Sequence, residues 1–232
     1  MKSALSQLKA SLFESVSKEL VPQGFKLRAS KESFIRRRNG ASDIFQLTCK
    51  DGKPGWKVEP GVAVRVERVE EIFHWTSGFK PQYHSGTATV GAFVGHLLAG
   101  SILAYNFFLV SDSDLALVTE QCLRIFREVG LPYYERWGSL RAIDAELNDD
   151  PSRKTPHRSL AWFRCSTGII VARLVGRPDI EKLASFYTEV MTQDNRGFYL
   201  KRFQDLLESL ESVKLGERLG GGDLESHSAP EV

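Results

Sequence analysis

The chain has 232 residues, of which 42% are hydrophobic and 26% are charged, as in an ordinary globular protein. Its formal net charge of +2 excludes a strong overall field that would attract DNA or an anionic membrane, so such a partner needs a local basic patch. Cys49, Cys122 and Cys165 form no CxxC pair and indicate no disulfide framework. We therefore expect a cytoplasmic protein, and the charged N-terminal segment does not resemble a secretory signal.

The first part of the sequence predicts a helix followed by antiparallel strands. Apolar residues recur at helical spacing from Leu5 to Leu20, and Pro22 and Gly24 end this pattern. The strand-like segments that follow are 25–40, 42–52 and 55–67.

Turn residues connect these predicted strands. The dipeptides Asn39-Gly40 and Asp51-Gly52 favour tight hairpins. Pro60 places the third strand at an edge of the sheet or at a bulge, because proline has no backbone N–H to donate. A short helix is predicted to follow around residues 67–75.

The stretch from Thr89 to Val110 carries no charged residue and is long enough for a membrane helix. Glycines and polar residues interrupt it and no basic cluster borders it, so we expect no membrane partner. Segments 87–94 and 102–110 are instead predicted strands around a turn, buried on both faces in the middle of the sheet. His96 in this turn either bonds to backbone or lines a pocket.

The second half of the sequence predicts helices. Asp112 or Ser113 caps a helix with an apolar stripe that includes Cys122, and Gly130 and Pro132 end it. Further helices are predicted around 139–147, over 160–175, after Pro178 and around 203–213.

The polar segment 148–159 is the predicted domain boundary in this half. We predict an α+β domain over residues 1–150, a helical extension over 151–215 and a flexible acidic tail over 216–232. The fold class is therefore α+β, with an N-terminal helix, an antiparallel sheet with packed helices, and a C-terminal helical region.

No residue pattern predicts catalysis, a metal or a cofactor. No two histidines stand at a zinc-binding spacing among the five in the sequence, which are His74, His84, His96, His157 and His227. A nuclease needs clustered carboxylates to hold a metal ion, and no specific spacing exists among the available Glu59, Glu67, Glu70 and Glu71. The spacing of His74 and Glu70, one helical turn apart, allows them to pair, and such a pair is more often solvated than catalytic. Enzymatic activity stays open, although a non-catalytic protein is the favoured reading.

The clearest charge feature is a basic segment with six positive residues and one acid, Glu32. Its positive residues are Lys26, Arg28, Lys31, Arg36, Arg37 and Arg38. Strand alternation puts Arg36 and Arg38 on one face, beside Lys26 and Arg28, with Arg37 on the other. This face either binds phosphates or acidic groups, or keeps an edge strand soluble. Nucleic acid is an alternative partner that we do not favour, because no aromatic residues interleave the arginines.

A second feature is an aromatic and glycine-containing loop. It carries Trp75, Phe79, Tyr83 and His84 within about a dozen residues. Such a loop is either a contact surface for a partner or a lid over the core of the sheet.

The order of these features resembles the bacterial domain of unknown function 4304 family over roughly residues 5–148. The segments that carry the resemblance are "GFK", "SFIRRRNG", "IFQLTCKDG", "IFHWTSGFKPQYHSGTATVGAFVG" and "LPYYERWGSL". The resemblance implies a cytosolic α+β domain with an antiparallel sheet and no established reaction. It also implies partner binding, because the family and related domains are found among bacterial immunity and toxin-neutralising proteins. The helical region after Pro156 lies outside the resemblance.

The leading hypothesis is a non-catalytic bacterial immunity or defence-associated protein that occludes a toxin or effector partner. Its candidate contact residues are Trp75, Phe79, Tyr83, His84, Arg36 and Arg38. One alternative is an enzyme or nucleic-acid-binding component of a defence system that uses the basic segment. The other is a structural domain that oligomerises through its C-terminal helices, and the sequence leaves the oligomeric state open.

Overall fold

The structure is a computed structural model that describes residues 4–98 and 105–213. Its strands are β1 (Lys26–Arg28), β2 (Ser33–Arg38), β3 (Ala41–Asp51), β4 (Trp56–Val66), β5 (Val90–Phe93) and β6 (Phe107–Leu109). Its helices are α1 (Ala4–Leu20), α2 (Glu67–His74), α3 (Pro81–His84), α4 (Val94–Leu97), α5 (Asp112–Ile125), α6 (Leu131–Trp137), α7 (Leu140–Asn148), α8 (Ala161–Val175), α9 (Ile180–Gln193) and α10 (Leu200–Leu210). The α+β class is confirmed. The sheet is antiparallel, with one helix before its strands in the chain and a helical region after them.

The predicted strand over residues 25–40 is two strands, β1 and β2, which pair with each other. A 3₁₀ turn over Ala29–Lys31 and a left-handed Glu32, at φ 50°, reverse the chain between them. The Glu32 carboxylate accepts hydrogen bonds from Lys9 Nζ and from the backbone N–H of Cys49, both at 2.8 Å. These two bonds fix the turn against α1 and β3, which explains how a non-glycine residue holds this conformation.

Strand β4 lies inside the sheet and not at its edge. It pairs with β3 along its whole length, and on its other side with β5 over Gly61–Val64 and with β6 over Trp56–Val58. Pro60 falls in the gap between these two stretches, where a residue without an N–H interrupts no ladder. The expectation of an edge position for this strand was therefore wrong.

The apolar stretch 89–110 forms strands β5 and β6, but neither lies in the middle of the sheet. Both pair only with β4 among the described residues, so together they form an edge, and Phe93 and Phe108 are 37% and 55% exposed. The predicted turn begins with the helical turn α4, and its last residues, 99–101, lie outside the described ranges, as do residues 102–104 of the second predicted strand. Among residues 4–98 and 105–213, no helix combines the length and apolarity needed to cross a membrane.

In the described part of the chain, helices pack on one face of the sheet, and the opposite face is called the open face. On the covered face, Phe34 stacks on Phe13 of α1 at 5.9 Å, and Phe45 meets Phe126 edge-on at 5.4 Å. Because side chains alternate along a strand, the other face carries Ile35, Gln46 and Gly61. Gln46 is exposed on that open face.

Helix α5 begins and ends differently from the prediction. Ser111 is its N-cap, in a capping box with Asp114, in place of Asp112 or Ser113. A π-helical turn over Phe126–Gly130 then leads directly into α6, so Gly130 and Pro132 do not end the helical run. Pro132 stands in the first turn of α6, directly after the π-helical turn, so the helical run continues through it. The apolar stripe is confirmed at Cys122, which is fully buried.

The C-terminal helices pack onto the sheet-bearing part of the chain. Helix α8 lies against α7 and α2, and Gly176 ends it in a left-handed conformation as expected. Within the connecting segment, Thr155 and His157 are buried. The domain division at residue 150 stays a prediction, and the predicted acidic tail lies outside the described residues.

A buried polar contact fixes α8 against α7 and α9. Asn148 Nδ2 donates to the carbonyl of Gly168 at 3.0 Å, and Tyr187 Oη donates to Asn148 Oδ1 at 2.6 Å. A Cβ at Gly168 would lie 2.7 Å from Tyr187 Oη and 2.8 Å from Asn148 Oδ1. Glycine at this position therefore permits the three helices to approach.

We expect Gly168→Ala to lower the free energy of unfolding by about 1–3 kcal/mol, because the added methyl overpacks this contact. Urea unfolding measures the loss. Gly130→Ala is the matched control, because its new Cβ would meet its nearest neighbours at 3.5 Å, an ordinary contact. An equal loss of stability in both variants would show that the helices at Gly168 leave room for a methyl group.

Candidate functional site

The loop between α2 and β5 exposes aromatic side chains while it covers the core. Trp75, Phe79 and Tyr83 are 46%, 36% and 59% exposed. Phe79 also packs against buried Phe73 and against Phe163 of α8, with ring centroids 6.1 Å apart in each case. The loop is thus attached to the core through one face of Phe79 and presents apolar surface to solvent.

Hydrogen bonds hold this loop in a defined shape. Ser77 Oγ accepts the backbone N–H of Phe79 at 3.2 Å, and His84 Nε2 donates to the Phe79 carbonyl at 2.8 Å. Arg202 of α10 donates from Nη1 to the Ser77 carbonyl at 2.9 Å. The aromatic side chains are therefore presented on a backbone with its own network of bonds.

His74 pairs with His84 and with two hydroxyl groups, and not with Glu70. The two imidazole rings stack with centroids 3.8 Å apart and planes 1° apart. His74 Nδ1 lies 3.0 Å from Ser77 Oγ, and its Nε2 lies 2.9 Å from Thr87 Oγ1. Burial, and next the neighbouring His84, lower the pKa of His74. A neutral His74 at neutral pH allows the stack to form without repulsion.

Glu70 is a fully buried carboxylate that joins three segments of the chain. Its Oε1 accepts Thr89 Oγ1 at 2.9 Å and Arg158 Nη2 at 3.4 Å. Arg65 Nη1 lies 3.7 Å from Oε2. Arg158 also donates from Nε to the Thr89 carbonyl at 2.7 Å and from Nη2 to the Ala88 carbonyl. This cluster is enclosed, and its role in the fold is to connect both ends of the aromatic loop to the segment that precedes α8.

Arg36 and Arg38 share a face as predicted, and both bind the buried Asp43. Arg36 Nη2 lies 2.9 Å from Asp43 Oδ2, and Arg38 Nη2 lies 2.5 Å from Asp43 Oδ1. The Arg36 guanidinium also lies over the ring of Phe25, 4.8 Å from its centroid. These two arginines therefore belong to the rim of the covered face.

The expected grouping of Arg36 and Arg38 with Lys26 and Arg28 was wrong. The strand register places Lys26 opposite Ile35 and Arg28 opposite Ser33. Residues opposite one another in antiparallel strands point to the same face, so Lys26 and Arg28 lie with Arg37 on the open face. Sequence alternation within β2 could not reveal this, because it contains no information on the β1–β2 register.

Phe198 is an exposed aromatic residue that the sequence analysis missed. It is 68% exposed and follows three residues in left-handed conformations, Asn195, Arg196 and Gly197. Its ring meets that of Tyr199 at 4.8 Å, and Tyr199 stacks on Trp162 of α8 at 5.3 Å. The "DNRG" turn signal ahead of it was visible in the sequence, but the exposure of an aromatic residue after a turn depends on tertiary packing.

The geometry presents no activated nucleophile among the cysteines. Burial raises the pKa of Cys49 and of Cys165 to about 12, so both thiols are protonated at neutral pH. Burial also raises the pKa of Cys122. Within residues 4–98 and 105–213, no group of three His, Cys, Asp or Glu side chains is arranged to hold a metal ion.

No family model, curated protein or solved structure matched this chain in three separate comparisons.

His157 lies beside the Glu70 cluster and is buried against aromatic rings. Its Nδ1 lies 2.9 Å from Tyr133 Oη, and its ring centroid lies 4.5 Å from that of Trp137. Burial lowers the pKa of His157 to about 4, with Glu146 opposing the shift. The imidazole is therefore neutral in the folded protein at neutral pH.

We expect the free energy of unfolding to fall as the pH drops from about 6.5 to about 4, because the unfolded chain then binds a proton at His157 that the folded chain does not. The full loss is up to about 3 kcal/mol, and His74 contributes in the same direction. Urea unfolding at a series of pH values, on the wild type and on His157→Gln, measures this. An identical pH slope for both proteins would contradict a neutral buried His157.

We also expect the double variant Arg36→Gln/Arg38→Gln to lose about 3 kcal/mol of stability, because it leaves the buried Asp43 without a positive partner. Arg37→Gln is the matched control on the opposite face of β2, where a surface change is expected to stay within about 0.5 kcal/mol. Chemical unfolding compares them. Equal stability of the wild type and both variants would show that Arg36 and Arg38 only keep the strand soluble.

Proposed function

We propose that the protein is a non-catalytic protein-binding module that occludes its partner through an exposed aromatic surface formed by Trp75, Phe79, Tyr83 and Phe198. The observation that carries this proposal is the exposure of large aromatic side chains on a loop whose backbone is fixed by hydrogen bonds. His84 supports this surface through its bond to the Phe79 carbonyl.

Rigid aromatic residues are suited to this role for an energetic reason. A tryptophan or tyrosine side chain buries a large area on binding and has few rotatable bonds to immobilise, which is why these residues dominate binding energies at interfaces. A loop that is already ordered loses little further entropy when a partner binds. Trp75 and Tyr83, at 46% and 59% exposure, each have about half of this area still to bury.

Contacts through Arg202 connect Phe198 to the loop. Arg202 donates to the Ser77 carbonyl, and its guanidinium lies 5.9 Å from the ring centroid of Tyr199, the neighbour of Phe198. A Cβ at Gly78 would lie 2.7 Å from Arg202 Cζ, so the loop and α10 are in close contact. The aromatic surface therefore draws on residues from the loop and from the C-terminal helical region.

A role in immunity or defence rests on the sequence resemblance to the domain of unknown function 4304 family over roughly residues 5–148. In this proposal the partner is a toxin or effector, and the protein acts in the bacterial cytoplasm by covering the partner's working surface. Arg36 and Arg38 contribute at most as rim charges, because both are bound to Asp43. Rim charges act mainly on the rate of encounter.

We expect Trp75→Ser and Tyr83→Ser each to weaken partner binding by about tenfold or more, because both remove exposed anchors of the aromatic surface. The partner is first isolated by affinity capture from the native host and its affinity is then measured by titration calorimetry. Leu117→Ser on α5 is the control, since Leu117 is 64% exposed and lies on another element. Melting temperatures establish that the variants are folded.

Two results would contradict the proposal. One is an unchanged affinity in both aromatic variants, which would place the contact elsewhere. The other is an equal loss in Leu117→Ser, which would indicate general hydrophobic adsorption. If the wild type inhibits a captured toxin and Tyr83→Ser no longer does, the result would support occlusion of the toxin through this surface.

A further inference from the structure

The open face of the sheet contains a cavity of about 420 Å³ where β3, β4 and β5 meet. Its floor consists of small residues, Gly61, Ala63 and Gly91. The register explains the depression, because Ala63 pairs with Gly91, and a Cβ at Gly91 would lie 2.6 Å from the Cβ of Ala63. The sheet surface therefore carries no side chain larger than a methyl group at Gly61, Ala63 and Gly91.

The walls of this cavity combine aromatic and amide groups. Phe93 stands opposite Gly61 in the register and is 37% exposed, and His96 meets its ring edge-on at 6.3 Å. Gln46 and the segment 156–159 form the other walls, and the Gln46 side-chain amide has both a donor and an acceptor. A cavity with an aromatic wall, a floor of glycine and alanine and an adjacent amide fits a flat, polar ring.

Positive charge lies on the same face. One row of paired residues crosses the sheet from β1 to β5, and it consists of Arg28, Ser33, Gln46, Gly61 and Phe93. The row puts Arg28 roughly 14 Å from the cavity floor, at about 4.8 Å per strand.

Two further cations lie on this face beyond Arg28, since Lys26 pairs with Ile35 and Arg37 comes two residues after Ile35 on β2. Among the described residues, no ion pair involves any of these three side chains, whereas Lys50 and Lys57 are both paired with Glu59. The open face therefore has uncompensated positive charge at one side and the cavity at the other.

We propose that the open face binds single-stranded nucleic acid, with one base in the cavity against Phe93 and the neighbouring phosphates at Lys26, Arg28 and Arg37. A base can enter the cavity only when it is unpaired, which favours a single strand over a duplex. Phe108 lies next along this edge, opposite Lys57, and is 55% exposed, so it offers a second ring for stacking. The aromatic residues come from β5 and β6 and the basic ones from β1 and β2, so their association was invisible in the sequence.

This inference does not rest on the proposed protein-binding function. It uses the sheet face and not the aromatic surface, and each surface is tested by its own variants. Charge complementarity favours a polyanion here, since the uncompensated cations lie on the same face as the flat cavity.

The first test is fluorescence anisotropy with a labelled single-stranded oligonucleotide of mixed sequence, and with its duplex, at 50 and 200 mM salt. If three phosphates are neutralised, affinity for the single strand falls about twentyfold between these salt concentrations. We expect the duplex to bind more weakly than the single strand at both. Equal binding of the two, or no binding of the single strand at the lower salt, overturns the proposal.

Variants then separate the cavity from the charges. Gly61→Val fills the floor, where an added Cβ meets its nearest neighbours at 3.5 Å, and its melting temperature establishes that it is folded. We expect Gly61→Val and Phe93→Ala each to weaken binding of the single strand by about tenfold and to leave the salt dependence of binding unchanged. Arg28→Gln/Arg37→Gln should weaken binding and also reduce the salt dependence by about two phosphates.

Lys182→Gln on α9 is the charge control and should leave binding unchanged. If Gly61→Val and Phe93→Ala bind like the wild type, only general charge attracts the strand and the cavity assignment is wrong. If the oligonucleotide does not bind but these variants abolish capture of a protein partner, the open face is a protein interface and the nucleic-acid proposal fails.

Discussion

The hydrogen bonds of the buried Glu70 carboxylate fix the geometry on which both candidate surfaces depend. Glu70 lies in α2, its partner Thr89 lies just before β5, and Arg158 lies ahead of α8. The aromatic loop is the chain between Glu70 and Thr89, so this cluster fixes both of its ends. Arg158 and Ala88 also line the cavity on the open face. A buried carboxylate is costly unless it is paired, so losing Arg158 would disturb the loop and the cavity together.

Strand β4 is the second constraint, because it sets the register of everything around it. Its valines face the helices, and Gly61 and Ala63 on the alternate positions face the open side. Pro60 divides its outer edge, so β5 and β6 attach as two short pieces and not as one long strand. As a result Phe93 and Phe108 both project from the same edge region of the open face, separated by the gap at Pro60.

The sequence predicted the features that are determined locally. The α1 helix, the Cys122 stripe of α5 and the Gly176 end of α8 follow from apolar spacing and glycine conformation, and the structure confirms them. The errors arose where partners distant in sequence decide the outcome. The stretch 89–110 was predicted to form two buried strands in the middle of the sheet. An apolar run does not, however, specify which strand it pairs with. Phe198 was missed for the same reason, since its exposure depends on how α10 docks.

The basic segment shows why net charge and strand alternation are insufficient on their own. Six positive residues within thirteen positions looked like one patch in the sequence. The β1–β2 register divides five of them, with Arg36 and Arg38 at the buried Asp43 and Lys26, Arg28 and Arg37 on the open face. The first group contributes to folding, and the second is available to a partner because its charge is not neutralised by a carboxylate among the described residues. A near-neutral chain thus carries a locally basic sheet face, which neither the net charge nor the spacing of the arginines could reveal.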